Sequence, residues 1–134
     1  MPDNFFIDSN ICLYILDKEN PKFFKAKALL EYKPIISTQV IAENINVCLK
    51  KYKKTRSFAL AHANSLREAC NVQGITNQTL TTALFIFERY GYSIFDSLII
   101  ASALEAKCNT LYTEDLHQGQ LIIGKLKLVN PFIA

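Results

Sequence analysis

The 134-residue sequence has no C-x-x-C pair and only two histidines, His62 and His117. Its four cysteines (Cys12, Cys48, Cys70 and Cys108) lie far apart, each in an apolar or helical stretch. That pattern argues against zinc held by soft ligands. It fits free thiols in a reducing cytoplasm, because a chain that is 50% apolar can bury a core without disulfide stapling. Long apolar runs are also missing, and the longest, residues 97–104, is too short to span a bilayer. The opening Met-Pro-Asp-Asn lacks the basic segment that begins a secretory signal. No low-complexity tract, internal period or linker interrupts the chain, and four glycines are few for an all-β protein. These absences describe one domain, residues 1–134, in a soluble cytoplasmic protein with no membrane partner.

Fifteen basic residues against twelve acidic leave a net charge of +3, too small an excess to identify a polyanion binder. The apolar pattern is more informative. Short strands are expected at residues 4–7, 34–36, 71–75 and 110–113, with a fifth in the tail at 121–129, where Gly124 and alternating lysines weaken the pattern. Between them lie helical segments: a short one at 11–16, one from Pro21, one after Ser37 or Thr38, and others at 56–69, 79–90 and from Ser93 to about 107. The helix after Ser37 carries Ile41, Ile45, Cys48, Leu49 and Tyr52 as one apolar stripe. Short apolar strands alternating with helices predict an α/β fold: a mostly parallel sheet of four to five strands with helices on both faces.

In open α/β sheets, ligands collect outside the carboxyl ends of the strands. Asp8 directly follows the first strand and Asp115 follows the fourth. Taken singly, each also reads as the cap of the next helix. Asp96 lies in Ile94-Phe95-Asp96-Ser97-Leu98-Ile99-Ile100-Ala101, apolar on nearly every side, where an ionised carboxylate is costly unless compensated. Ser93 and Asp96 also have the spacing of a capping box, so both readings stay open. Glu43 falls off the main apolar stripe of its helix, on the side of Val40 and Val47, where a glutamate is usually solvated. The weight comes from the set. Clustered carboxylates repel, and a cation must neutralise them. Hard oxygen ligands without cysteine or histidine suit Mg²⁺ or Mn²⁺, ions that favour phosphate substrates.

The acids and their neighbours resemble the motifs of PIN-domain nucleases. Phe6-Ile7-Asp8-Ser9-Asn10 is similar to the family's opening motif, a strand ending in Asp followed by small polar residues. Ser37-Thr38-Gln39-Val40-Ile41-Ala42-Glu43 resembles the second, and Phe95-Asp96-Ser97-Leu98-Ile99-Ile100-Ala101-Ser102-Ala103 the third. Thr113-Glu114-Asp115-Leu116-His117-Gln118-Gly119-Gln120 resembles the fourth as it occurs in bacterial members of the VapC toxin type. The resemblance covers residues 5 to about 132 and implies an α/β/α sandwich that hydrolyses RNA phosphodiester bonds with Mg²⁺ or Mn²⁺. It also implies a homodimer silenced by a small antitoxin protein. Carried over by position, it makes Asp8, Glu43, Asp96 and Asp115 the catalytic and metal-binding acids, with Ser9, Asn10 and Thr113 as supporting polar groups. Asp8 and Asp96 would hold the ion, and Glu43 and Asp115 further waters or a second ion. The order His117-Gln118 departs from the usual one, and His117 reads as a solvated loop residue.

Lys50, Lys51, Lys53, Lys54 and Arg56 place five of the fifteen basic residues within seven positions. They read either as a solvated helix end, where cations are favourable, or as a track for RNA phosphates. Two rivals to the nuclease stand beside it. A catalytically silent PIN-like module that binds a protein or RNA would not need all four acids. A phosphorylatable receiver domain needs a lysine after a late strand, and none follows residues 110–113.

Overall fold

A computed structural model of the protein describes residues 4–133. Its strands are β1 (Phe5–Ile7), β2 (Ile35–Ser37), β3 (Asn71–Gln73), β4 (Thr110–Tyr112), β5 (Leu121–Ile122) and β6 (Leu126–Val129). They form one sheet in the order β3-β2-β1-β4-β6-β5, parallel throughout except for the β5–β6 pair. The helices are α1 (Ser9–Leu13), continued by a 3₁₀ turn at Tyr14–Leu16, then α2 (Phe23–Leu30), α3 (Thr38–Lys50), α4 (Arg56–Ala69), α5 (Asn77–Tyr90) and α6 (Ile94–Glu105).

All three residues of β1 are buried, so helices cover both faces of the sheet at its centre, as the apolar run Phe5-Phe6-Ile7 requires. At the far edge β3 is exposed at Asn71 and Gln73, and Gly74 falls beyond its end. The core joins Phe6, Ile7, Ile36 and Leu111 of the sheet to Ile11, Leu66, Ile86, Ile99 and Ile100 of the helices. No helix among the described residues is long and apolar enough to cross a membrane.

Helix starts follow cap chemistry. The side chains of Ser37, Thr55 and Thr76 each accept the backbone N–H three residues on, and Thr76 with Thr79 completes a reciprocal box. Gly91, left-handed at φ +76°, ends α5. Pro21 lies ahead of α2 in a turn and does not open the helix.

Two expectations change. The sheet has six strands, because the tail folds into a hairpin around Ile123 and Gly124, both at positive φ. Such a turn matches the twist of the flanking strands but normally selects Asn-Gly, so Ile-Gly carries little sequence signal. The buried face of α3 is Val40, Asn44 and Cys48, with Ile41, Ile45 and Leu49 only half-buried and Tyr52 39% exposed beyond the helix end. The helix is thus turned toward Glu43's flank.

Candidate active site

β2, β1 and β4 are neighbours in the sheet and parallel, so their carboxyl ends lie side by side. Each opens into a segment bearing a candidate acid: Asp8 after β1, Glu43 in α3 after β2, Asp115 after β4. α6 runs back toward β4, which places its first turn, with Asp96, at that same end of the sheet.

Asp8 is 6% exposed and does two things at once. It caps α1, Oδ1 accepting the Ser9 N–H at 2.7 Å, while Oδ2 accepts the Thr113 hydroxyl at 2.8 Å. Burial pushes its pKa from 3.8 up to about 6. The bonds from Thr113 and Ser9 pull the other way, and the charges of Glu43 and Asp96 add to the rise. Thr113 is itself buried and also accepts the Asp115 N–H at 3.3 Å, tying the first motif to the fourth.

Glu43 is half-buried, accepting a hydrogen bond from the Ser9 hydroxyl and another from Gln39 at 3.3 Å. Gln39 also donates to the carbonyl of Phe95, so one amide links α3 to the start of α6 beside Asp96. Asp115 is exposed and accepts from the Asn10 amide at 3.1 Å. Its pKa is raised by partial burial and by the charges of Asp96 and Glu114. For Asp96 the structure shows half of a capping box: the Ser93 hydroxyl accepts the Asp96 N–H at 3.1 Å. No bond from the Asp96 carboxylate closes the other half within the described residues.

Charge therefore couples Asp8 to Glu43 and Asp96, and Asp96 to Asp115. Among the described residues the only ion pair is Lys22–Glu114, so none of the four acids has a cationic side chain as its partner. Among those residues, too, no three His, Cys, Asp or Glu side chains converge into a ready-made ion cage. An ion such as Mg²⁺, which keeps several of its waters between itself and the protein, does not require such a cage. Two buried oxygens beside the acids, Asn10 Oδ1 and Gln39 Oε1, lack a hydrogen-bond partner and would suit such waters. The donor set therefore fits a hydrated divalent ion.

Sequence reasoning passed over two supports, the Asn44–His62 pair and the anchor at Glu114. Buried Asn44 donates to the carbonyls of Ser9 (3.1 Å) and Val40 (2.9 Å) and pairs through Oδ1 with Nε2 of buried His62 at 2.8 Å. With both amide hydrogens committed, Oδ1 must accept, so Nε2 carries the proton. Glu114 is held by Tyr14 and Lys22, anchoring the loop that carries Asp115. His117 is exposed, and its backbone N–H donates to the Tyr92 hydroxyl at 3.4 Å.

The sequence model of the PIN domain matches residues 5–121. The chain belongs to the PIN domain family. The matched stretch contains all four acids. Among solved structures, this PIN domain is similar to FitAcB from Neisseria gonorrhoeae, with a TM-score of 0.71, 18% identity, and coverage of 96% of this chain and 98% of that one. It is similar to a toxin–antitoxin complex from Klebsiella pneumoniae, at TM-score 0.69 and 23% identity, covering 96% and 98%. Mycobacterium tuberculosis VapC20, a sarcin-ricin loop cleaving toxin, gives TM-score 0.67 and 22% identity over 84% and 90%. At these identities the likeness is one of fold. No curated protein sequence matches the chain.

Proposed function

We propose that this PIN domain is an endoribonuclease that hydrolyses RNA phosphodiester bonds with a bound Mg²⁺ or Mn²⁺, and that it is the toxin of a toxin–antitoxin pair. The observation that carries the reading is four carboxylates at one end of the sheet, linked by like-charge repulsion from Asp8 to Glu43 and Asp96 and from Asp96 to Asp115, none of them ion-paired to a cationic side chain among the described residues. Asp8 and Asp96 would hold the ion, with Glu43 and Asp115 holding its waters or a second ion. Once bound, the ion supplies a Lewis acid for the phosphate and water activated near neutral pH. The chain's own contribution is orientation. Thr113 and the Ser9 N–H fix both oxygens of Asp8, Ser9 and Gln39 aim Glu43, and Asn10 steers Asp115. Groups held in place in this way need no reordering during reaction.

The antitoxin reading is supported by the fold likeness to toxins solved as toxin–antitoxin complexes. An acidic pocket of this kind is best silenced by an inserted arginine, whose guanidinium pairs well with carboxylates. Self-association is supported by Leu80, Leu84 and Phe87, which form one exposed stripe along α5, each at least 40% exposed.

The deciding experiment incubates the purified protein with RNA in Mg²⁺, in Mn²⁺ and in excess EDTA, beside Asp96→Asn. Wild type is expected to cut only with metal and to melt higher when metal is added; the variant is expected to do neither. In EDTA the variant melts no lower than wild type, because a neutral amide relieves repulsion. A variant that melts lower in EDTA, responds normally to Mg²⁺ and still cuts RNA would reduce Asp96 to a helix cap.

A further inference from the structure

Five of the basic residues, Lys50, Lys51, Lys53, Lys54 and Arg56, close α3, fill the loop after it and open α4, with no acidic partner among the described residues. The cation that does have one is Lys22, the residue before α2. Its partner is Glu114, the neighbour of Asp115.

Glu114 and Asp115 are adjacent acids on one loop, and a hard cation would accept either as an oxygen ligand. The structure separates them. Both oxygens of Glu114 are taken: Oε1 accepts the hydroxyl of Tyr14 in the 3₁₀ turn, and Oε2 accepts the Lys22 ammonium. That ammonium also donates to the Tyr14 hydroxyl at 3.5 Å. It lies 5.1 Å from the centre of the Tyr14 ring and 5.2 Å from that of Phe132. The two rings pack edge to face, 5.4 Å between centres, and make a floor under the ion pair. The floor is tied to the same loop. Asn130 accepts the Phe132 N–H on its side chain at 2.9 Å and donates its own N–H to Gln118. The Glu114 side chain is thereby left 14% exposed, whereas Asp115 is exposed.

An ion pair this near solvent contributes little to stability. Its geometry is the informative part. Asp115 lies outside any strand or helix, and its own ties are the Asn10 amide at 3.1 Å and the Thr113 hydroxyl, which accepts its N–H at 3.3 Å. A carboxylate on irregular backbone holds an ion well only when the groups around it are fixed. We infer that Lys22, with Tyr14, is a positioning residue of the metal site: it withdraws Glu114 from the acidic cluster and fixes the loop so that Asp115, and not its neighbour, meets the hydrated ion. The inference rests on the metal-dependent nuclease reading above and names what selects the fourth acid. Field and geometry predict opposite signs here. Removing Lys22 leaves uncompensated a Glu114 charge that already acts on Asp115, and by charge alone this would tighten a divalent cation. Lost positioning weakens it.

The test titrates Mn²⁺ into the metal-free full chain without RNA and reads free Mn²⁺ by electron paramagnetic resonance. Lys22→Met is expected to raise the Kd for Mn²⁺ about tenfold, and Glu114→Gln by a similar factor. Lys22→Arg, which keeps a cation over the rings, retains most of the affinity. In an Asp115→Asn background Lys22→Met adds nothing, because the ligand it positions is already gone. Unchanged or tighter Mn²⁺ binding by Lys22→Met overturns the inference. A loss that persists undiminished beside Asp115→Asn also overturns it and makes the pair a support of the fold. Tyr14→Phe removes one bond to Glu114 and keeps the ring. It should shift the affinity in the same direction by a smaller factor, and it decides the matter if Lys22→Met fails to fold. A protein that shows these dependences yet never cuts RNA would leave the positioning role standing and remove the nuclease. A wild type that binds no Mn²⁺ removes both.

Discussion

At Asp8, capping and charge pull against each other. The carboxylate gains two hydrogen bonds, yet burial and two neighbouring acids hold its pKa near 6, against 3.8 for a free side chain. Between those two values the folded protein binds a proton that the unfolded chain has already lost. Metal-free stability therefore falls as pH rises through that window, by up to about 3 kcal/mol for a shift of this size, and is flat above it. Asp8→Asn keeps an oxygen for the Ser9 N–H and removes the titration. Urea unfolding in EDTA from pH 4 to 8 should show the wild type losing stability relative to Asp8→Asn as pH rises, with the variant the more stable at pH 7.5. A wild-type-minus-variant difference that stays flat with pH would mean that Asp8 is not held near 6. Because metal binding needs the ionised form, Mg²⁺-induced stabilisation of the wild type should grow across the same interval.

Among the elements, α3 does more than carry Glu43. Its buried face is centred on an amide, Asn44, which joins the Ser9 carbonyl in α1 to His62 in α4. With the Ser9–Glu43 bond, this fastens α1 and α3 together at two points immediately beside the acids. Asn44→Ala strands a buried imidazole N–H and a backbone carbonyl, and is expected to cost about 2–4 kcal/mol by thermal or chemical unfolding. Adding His62→Leu to Asn44→Leu should cost less than the two single changes summed, because the second removes a group the first left unsatisfied. Simple additivity would show that the pair does not act as a unit. His62 is buried and its pKa is lowered by desolvation, so it is neutral and donating in the neutral range.

For the whole molecule, the surface is as informative as the core. Among the large apolar side chains left exposed, Leu80, Leu84 and Phe87 lie on one face of α5, at 40%, 52% and 48%. A surface stripe of this kind is where a second copy would pack. Light scattering after size exclusion should give twice the chain mass for wild type and one chain mass for Leu84→Lys/Phe87→Lys, with the fold retained. A wild type that stays at one chain mass up to high micromolar concentration would remove the homodimer from the proposed function.

Local chemistry made much of this protein readable from its residues alone. Asp8 and Asp115 follow strands, and Asp96 sits three residues after a helix-capping serine. Each lies within a few positions of an element boundary that apolar periodicity and capping residues reveal, and a parallel α/β arrangement carries such boundaries to one end of the sheet. Arrangements with no local signature were decided by tertiary structure. The last hairpin turns on Ile123-Gly124, where the strand pairing imposes a positive φ that isoleucine resists, so no sequence pattern announces it. Asn44 and His62 give no signal in a pattern that counts apolar residues, and only packing shows that each satisfies the other in the dry interior. Tyr14 lies dozens of residues along the chain from Tyr52 and Phe58. The three rings share a cleft because the fold of α1, α3 and α4 closes that distance, which residue order alone does not encode.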